Sequence, residues 1–577
     1  MSQPARGIPV SAGIAIGPAW IFRPVMVQVE RCTGLDPATE IDRLDNACRQ
    51  AKAQIAALQQ RILAAIGREE AAIFEAHAMF LEDPEFIAAI EASIQAGGLN
   101  AEAAVGDVVE AFAQQMLSLE DAYFQARAQD IRDVGHRLLC CLAGVSPEAA
   151  ISPGQPAIIL AEDLTPSDTV QFDRHAILGL GTARGGPTSH TAILARSLGV
   201  PAAVSLALDL SSVPDGTLLI LDGTAGTLTV DHDPAQLAEA ERQREAWQTR
   251  LAGQLADVRL PAVTRDGRKV EVVANIGGLA DAEQAVKFGA EGVGLLRTEF
   301  LYLDNLRLPT IAEQVQVYRQ IFQVIGSGPL VVRTLDICGD KTVEYLGTRQ
   351  EPNPFLGWRA IRMIDERPEL LRDQFNALLQ AGVGYELRIM VPMVSSLEEV
   401  VQARRLLDEA RQSLQAQGAA YADGSAYAEQ VQFGIMVEVH SAALLAEHLA
   451  GLVDFFSIGT NDLAQYTLAV DRTNERVAHL ASPFHPAVIC LIDRTIRAAH
   501  AQGKWVGLCG EMAGDPLATP LLLGLGLDEF SMAAAAIPEV KARIRQLDAQ
   551  TCQGIAARAL ELPTARAVTE YLQGIRV

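Results

Sequence analysis

Between residues 41 and 66 the apolar positions Ile41, Leu44, Cys48, Ala51, Ile55, Leu58, Ile62 and Ala65 recur at alternating spacings of three and four. That is the seam of a helix packed lengthwise on another. A second helical stretch runs from about Ala101 to Leu142, and the region 25–146 is predicted to be a set of antiparallel helices. From Gln155 to Val230 the texture changes to short apolar runs, "PAIILAED", "HAILGL", "PAAVS" and "TLLILDGTAGTLTV", punctuated by Gly, Pro and Asp. These read as strands, with a helix starting near His190 between two of them. "GIPVSAGIAIGPAW" has the same texture and is expected to join that sheet, which makes the helical region an insertion. Residues 233–259 are polar on most faces with charges of mixed sign, as in an exposed connecting helix.

The remainder alternates strand and helix patterns. The strand candidates are "VEVVANIG", "GVGLLRTEF", "LVVRTLDI", "LRIMVPMV", "FGIMVEVH", "VDFFSIGTND", "WVGLCGEM" and "EFSMAA". Eight such units over some 300 residues predict a (β/α)8 TIM barrel, with an insertion at about 339–385 after the third strand. The expected organisation is multidomain α/β. Residues 1–24 and 147–232 form a swivelling β/α domain that carries the inserted α-helical bundle 25–146. A linker helix spans 233–259, and the barrel spans 260–577.

Barrel active sites sit at the C-terminal ends of the strands. Here those ends carry Asn275, Arg297 and Glu299, Arg333 and Asp336, Glu438, Asn461 and Asp462, then Cys509 and Glu511. One charged residue after a strand is usually a solvated loop residue; functional groups after several strands of one barrel point to a site. Arg297, Arg333 and Arg472 are permanently charged forks suited to phosphate and carboxylate oxygens. Glu438 and Asp462 are carboxylates on neighbouring strands, and two carboxylates plus substrate oxygens is how Mg2+ is usually held. The expected ligand is a small anion with both phosphate and carboxylate, bound with Mg2+. Cys509 reads either as a buried small hydrophobe or as a proton donor or nucleophile. No His or Cys group has zinc spacing.

Composition narrows the partners. The length of 577 residues suggests roughly three to four domains. The net charge of −24 argues against nucleic acid and anionic membrane as partners and favours a basic protein partner. The N-terminus lacks the layout of a signal peptide, no apolar run is long enough to span a membrane, and the eight cysteines contain no CxxC. A cytoplasmic protein with free thiols is the expectation.

The segments "GGPTSHTAILARSLGVPA", "GVGLLRTEFLYL", "VVRTLDICGDK", "NPFLGWRAIR", "FGIMVEV" and "FFSIGTNDLAQYTLAVDRTNERVAHL" occur in this order, as do "IFEAHAMFLEDPEF" and "DIRDVGHRLL" in the helical region. Together they resemble Enzyme I of the bacterial phosphotransferase system, the phosphoenolpyruvate–protein phosphotransferases. The resemblance covers nearly the whole chain. It implies that phosphoenolpyruvate binds in the barrel on Arg297, Arg333, Asn461, Asp462 and Arg472, with Lys341 and Arg359 as further rim contacts. It implies Mg2+ on Glu438 and Asp462, phosphorylation of His190, and Cys509 as proton donor to the enol. Thr169, in "LTPSDT", matches a family residue near the phosphohistidine. The phosphoryl group would pass from His190 to a histidine of the carrier HPr, the first step of the sugar phosphotransferase system. The helical insertion would dock HPr and the barrel would form a homodimer.

The chemistry asked of these residues is coherent. An imidazole nucleophile must be unprotonated, which neutral pH allows. A thiol that gives a proton must not be strongly acidified. One histidine cannot meet the barrel site and HPr at once, so a two-position motion about 233–259 is expected. Three positions depart from the family pattern: Pro187 where a basic residue is frequent, Cys338 for a Gly, and His440 where Pro is common.

Two other readings stand beside this one. A dikinase or phosphoenolpyruvate synthase shares the swivelling histidine and the barrel but needs a large ATP-binding domain; the 150 or so residues before the His190 domain are helical and hold no P-loop. A competent paralogue could instead feed a regulatory phosphorelay, often with an added N-terminal sensory domain. A degenerate scaffold would be expected to lose some of Arg297, Arg333, Glu438, Asp462 or Cys509, and all are present. Around His190 itself the local pattern leaves a structural histidine open. Thr188 and Ser189 are expected to cap its helix, Ile193, Leu194 and Leu198 to anchor it, and Gly185 and Gly186 to permit close backbone approach.

Overall fold

The protein is described from a computed structural model that covers residues 4–23, 27, 29–65, 74, 76–117, 122–145, 155–169, 172, 176–186, 189–303, 307–337, 344–347, 351–417, 430–472, 474 and 476–575. It divides into two compact units, Met1–Arg250 and Leu251–Val577.

The first unit is built on an eight-stranded sheet. Its strands are β1 (Ala5–Arg6), β2 (Ile8–Ser11), β3 (Ile14–Ile21), β4 (Ala157–Ala161), β5 (Ile177–Thr182), β6 (Ala202–Val204), β7 (Leu218–Asp222) and β8 (Thr227–Thr229), in the order β1-β8-β7-β3-β4-β5-β6-β2. The N-terminal "GIAIGPAW" run is therefore central. β3 alternates half-buried and buried residues along its length and pairs antiparallel with β7 and parallel with β4. The chain leaves the sheet after Ile21 and returns on the adjacent strand, where Ala19 faces Ile158.

The excursion between β3 and β4 contains the helices Pro37–Ala65, Pro84–Gly97, Ala101–Leu117 and Ala122–Ala143. The seam of the first helix is buried at Leu44, Ala51, Ile55 and Leu58, so its spacing of three and four is the packing face. Helix Pro84–Gly97 starts at Asp83, whose carboxylate accepts from the N–H groups of Glu85 and Phe86, and stops at Gly98 in the left-handed conformation. The stretch expected from Ala101 to Leu142 holds two helices, Ala101–Leu117 and Ala122–Ala143. They run antiparallel, since Val109 meets Gly135 and Glu110 pairs with Arg132 at 2.8 Å. A Cβ on Gly135 would lie 2.5 Å from Val109 Cγ2, so the glycine sets how closely the helices approach.

Helix Pro234–Ala256 spans the boundary between the units. Beyond it lie β9 (Ala262–Val263), β10 (Lys269–Ile276), β11 (Val293–Leu296), β12 (Leu330–Arg333), β13 (Leu387–Val391), β14 (Gln432–Val437), β15 (Phe455–Ile458), β16 (Trp505–Leu508) and β17 (Glu529–Met532). β10 to β17 are parallel, and the pairing of β10 with both β11 and β17 closes them into an eight-stranded barrel; β9 adds antiparallel to β10. All eight expected strand segments are in place. The insertion after β12 holds the short helical turns Glu344–Leu346, Pro354–Leu356 and Ala360–Met363, then helix Pro368–Ala381.

The barrel interior is filled. Leu295, Val331, Met390, Met436, Phe455 and Cys509 form one buried cluster. Beneath it Phe455 stacks on Trp505 at 4.5 Å, and the Arg388 guanidinium lies over the same Trp505 ring at 4.5 Å. Arg388 Nη1 also pairs with Glu271 at 3.1 Å and Glu529 at 3.2 Å. The layer of Phe455, Trp505, Arg388, Glu271 and Glu529 occupies the N-terminal half of the strands and leaves the opposite end for function. No helix among the described residues is long and apolar enough to cross a membrane.

Candidate active site

At the C-terminal ends of the barrel strands, cationic and anionic side chains alternate. Arg333, the last residue of β12, pairs through Nη2 with Glu299 at 2.8 Å and through Nη1 with Asp336 at 3.3 Å. Asp336 also receives Arg359 in a two-pronged contact, Nε to Oδ1 at 2.9 Å and Nη2 to Oδ2 at 2.7 Å. One carboxylate thus holds two guanidinium groups in a fixed fork geometry. Burial opposes the charge on both arginines, but the carboxylates of Glu299, Asp336 and Glu438 raise the Arg333 pKa, and Asp336 and Glu438 do the same for Arg359. Asp336 is pulled the other way: burial favours its neutral form, yet Arg333 and Arg359 hold its pKa below the ordinary carboxylate range. Arg359 is buried and packed against Asp336.

Glu438 follows β14 and Asp462 lies in the first turn of the helix Thr460–Leu468 after β15, and both are buried. Glu438 Oε1 accepts from the Met393 N–H at 2.6 Å. Burial, then the nearby charges of Asp462 and Asp336, push the Glu438 pKa up. Arg472 Nη2 approaches Asp462 Oδ1 at 3.4 Å, and that buried oxygen has no hydrogen-bond partner. Two carboxylates that repel one another, one with an oxygen that accepts no hydrogen bond, form a donor set that fits a hard divalent cation completing its shell with water and substrate oxygens. Among the described residues no group of three or more His, Cys, Asp or Glu gathers as a metal cluster.

The remaining strand ends frame this pair. Arg297 is exposed just after β11, its N–H bonded to the Ile276 carbonyl at 2.9 Å. Asn461 accepts from the Glu511 N–H at 3.1 Å. Cys509 is buried just beyond β16, and Asn275 Nδ2 holds its carbonyl at 2.9 Å, with Ser531 donating to Asn275 at 2.6 Å. Burial pushes the Cys509 thiol pKa up to about 11, so its sulfur keeps its proton. Lys341 and Cys338 lie outside the described residues. His440 is exposed at the start of the short helix His440–Leu444.

In the first unit His190 is the first residue of the helix His190–Leu198. Ser189 is the N-cap, its hydroxyl accepting from the Ala192 N–H at 3.4 Å, and Gly199 ends the helix in the left-handed conformation. Gly185 adopts φ +99° and its carbonyl accepts from Ser205 Oγ at 2.6 Å, so this glycine serves the local turn. Leu194 is buried as an anchor. Pro187 and Thr188 lie outside the described residues. Thr169 ends the short turn Pro166–Thr169. The sequence reading missed the Met393 N–H and Tyr466. Met393 gives no sequence signal because a backbone angle orients its donor. Tyr466 stands four residues after Asp462, one helical turn on, and that spacing was a usable signal.

Comparison with known proteins bears on this arrangement. The family described as PEP-utilising enzyme, PEP-binding domain, matches residues 252–549; its N-terminal domain matches 6–127 and its mobile domain 153–226. A phosphoenolpyruvate-protein phosphotransferase of Geobacillus stearothermophilus is 44% identical over 568 residues, 98% of this chain and 97% of the relative. A namesake from Bacillus sp. (strain S) is 43% identical with the same coverage, and one from Bacillus subtilis is 40% identical over 99% of each chain. Family, fold and chain length agree throughout, and the chain belongs to the Enzyme I family, the phosphoenolpyruvate–protein phosphotransferases.

Proposed function

We propose that this enzyme moves the phosphoryl group of phosphoenolpyruvate to His190 and from there to a histidine of an HPr-type carrier, the first step of sugar phosphotransfer. The observation that carries the reading is the ring of guanidinium groups around the paired carboxylates Glu438 and Asp462. Arg297, Arg333 and Arg472 supply forked donors for the phosphate and carboxylate of the substrate, and Asn461 adds a neutral amide. Arg359 extends the positive field, and Lys341 is the further contact that the family resemblance implies. Glu438 and Asp462 would hold Mg2+, which when bound neutralises charge on the phosphate oxygens.

Phosphoryl transfer asks mainly for positioning and charge neutralisation. The His190 imidazole, in its unprotonated form, supplies the electron pair that forms the N–P bond as the ester P–O bond breaks. The released enolate of pyruvate takes a proton at its methylene carbon, and the Cys509 thiol is the donor; the thiolate then recovers a proton from water. A second transfer carries the group to HPr. One imidazole cannot meet the barrel substrate and the carrier together, so the two transfers are successive.

The reading extends to a homodimer formed through the second unit, to docking of HPr on the helices between β3 and β4, and to the cytoplasm as the site of action. An acidic chain with net charge −24 suits a carrier that presents a basic patch.

Incubation with labelled phosphoenolpyruvate and Mg2+ tests it. Label is expected on the protein as an acid-labile, base-stable phosphoamidate, absent from His190→Ala and moving onward when HPr is added. Label retained in His190→Ala would sink the assignment, and a requirement for ATP would favour a dikinase.

A further inference from the structure

Tyr466 stands one turn after Asp462 on the helix Thr460–Leu468. Its hydroxyl donates to the Phe355 carbonyl at 2.6 Å and accepts from Arg359 Nη1 at 3.2 Å. A phenol has one proton, and Phe355 takes it, so the lone pair facing Arg359 has a fixed direction. Met393 Sδ lies 3.7 Å from the same oxygen. One hydroxyl therefore ties together the helix that carries Asp462, the inserted segment that carries Arg359, and the residue whose N–H holds Glu438. The other face of the Arg359 guanidinium is committed to Asp336, which also pairs with Arg333.

The inserted segment needs such a tether. From 351 to 364 it is built of short helical turns, with little regular backbone pairing of its own. Glu351 closes the turn from below, both carboxylate oxygens accepting from the Trp358 N–H at 3.2 Å, and a Cβ on Gly357 would fall 1.4 Å from Glu351 Oε2. Ala360 then takes φ +51°, a left-handed angle that a non-glycine residue keeps only when its surroundings impose it. Arg359 thus projects from a tight, imposed turn whose outer anchor is Glu351 and whose inner anchor is Tyr466.

We propose that Tyr466 is a positioning residue for the substrate anion: its hydroxyl pins the segment 353–359 against the Asp462 helix and so aims Arg359 and, through Asp336, Arg333. The inference rests on the phosphoenolpyruvate reading above and deepens it. Tyr466 is remote from the transferred group in this scheme, so its loss weakens binding of the ground state and transition state alike.

The test is Tyr466→Phe, which keeps the ring and removes one oxygen. A hydrogen bond to a charged group is typically worth about tenfold or more in affinity. The KM for phosphoenolpyruvate is expected to rise about tenfold with kcat within about threefold, the pattern of lost uniform binding. The KM for HPr should stay unchanged. Amide hydrogen exchange without any ligand should quicken in 353–363 and stay unchanged in β13. Glu351→Gln loosens the same segment from its other anchor and should raise the phosphoenolpyruvate KM in the same direction by a smaller factor, which keeps the proposal testable if Tyr466→Phe folds poorly. An active Tyr466→Phe protein with phosphoenolpyruvate KM and exchange both unchanged would overturn the role alone. Wild-type protein that phosphoenolpyruvate does not phosphorylate would sink the functional reading, and the role with it.

Discussion

The backbone N–H of Met393 donates to Glu438 Oε1 at 2.6 Å, and Met393 adopts φ +61° to do so. A left-handed angle on a non-glycine residue costs about 1–2 kcal/mol. Here it is kept at a residue that is fully buried, where a donor aimed at a carboxylate replaces water. The carboxylate is held in place before any ligand arrives, at the cost of crowding it against Asp462 and Asp336.

That crowding gives Glu438→Gln opposite effects on stability and function. The amide oxygen can still accept from Met393, and the repulsion among buried carboxylates is relieved. In metal-free buffer the melting temperature should hold or rise by about 2 °C. Added Mg2+ should no longer raise it. Phosphorylation by phosphoenolpyruvate should fall by at least about 100-fold, the scale of losing one preorganised charge at a reacting centre. Thermal denaturation with and without Mg2+, beside the labelling assay, reads all three. A variant that melts lower and remains active would contradict the assignment.

Cys509 should behave as a proton-holding thiol. With burial pushing its pKa up to about 11, it is neutral throughout the physiological range and forms thiolate only as pH climbs toward that value. Alkylation by iodoacetamide, followed by mass spectrometry of the peptide, should be slow at pH 7 and should quicken about tenfold per pH unit below the pKa. Cys509→Ala should lower turnover by about 10²–10⁴-fold, the usual worth of a positioned proton donor, and leave the phosphoenolpyruvate KM within twofold. Rapid alkylation at pH 7 would mean an acidified thiol, unsuited to giving a proton.

The barrel was legible because most of its strands carry an apolar run followed closely by a polar group, as in "LVVRTLD" and "FFSIGTND". Period and punctuation are local properties, and eight repetitions leave little freedom. That "GIAIGPAW" joins the sheet was also readable, since its strand texture matched that of a segment more than a hundred residues later; its central place was not. That the stretch from Ala101 to Leu142 holds two antiparallel helices was harder to read. Apolar spacing continues along both, so period alone does not show where a helix turns back, and Gly135, which admits Val109, looks like an ordinary helix-weakening residue in sequence. At the site, the residue types were visible but the pairing was not. Asp336 was one carboxylate among several; only the fold places it between Arg333 and Arg359.

The turn Pro166–Thr169 offers a test by pH. Asp168 is partly buried and accepts from both the N–H and the hydroxyl of Thr165, at 3.0 and 2.8 Å. Next to it Ser167 receives Arg137 of the helix Ala122–Ala143 at 2.9 Å. Burial pushes the Asp168 pKa up to about 6; Thr165 and His136 oppose that rise, and Asp133 adds to it. In the unfolded chain the group titrates near 3.8. Between these values the folded protein holds the proton more tightly, so stability grows as pH falls from about 6 to about 4 and is lost as pH rises through 6. The span is at most ~3 kcal/mol, reduced by the partial exposure of the group. Asp168→Asn keeps an oxygen for Thr165 and carries no charge. It should therefore be more stable than wild type at pH 7.5, with the advantage shrinking at pH 4.5. Urea unfolding of both proteins at the two pH values measures the difference. An advantage that is absent at pH 7.5, or that grows at pH 4.5, would mean that Asp168 stays ionised at low cost in the folded turn.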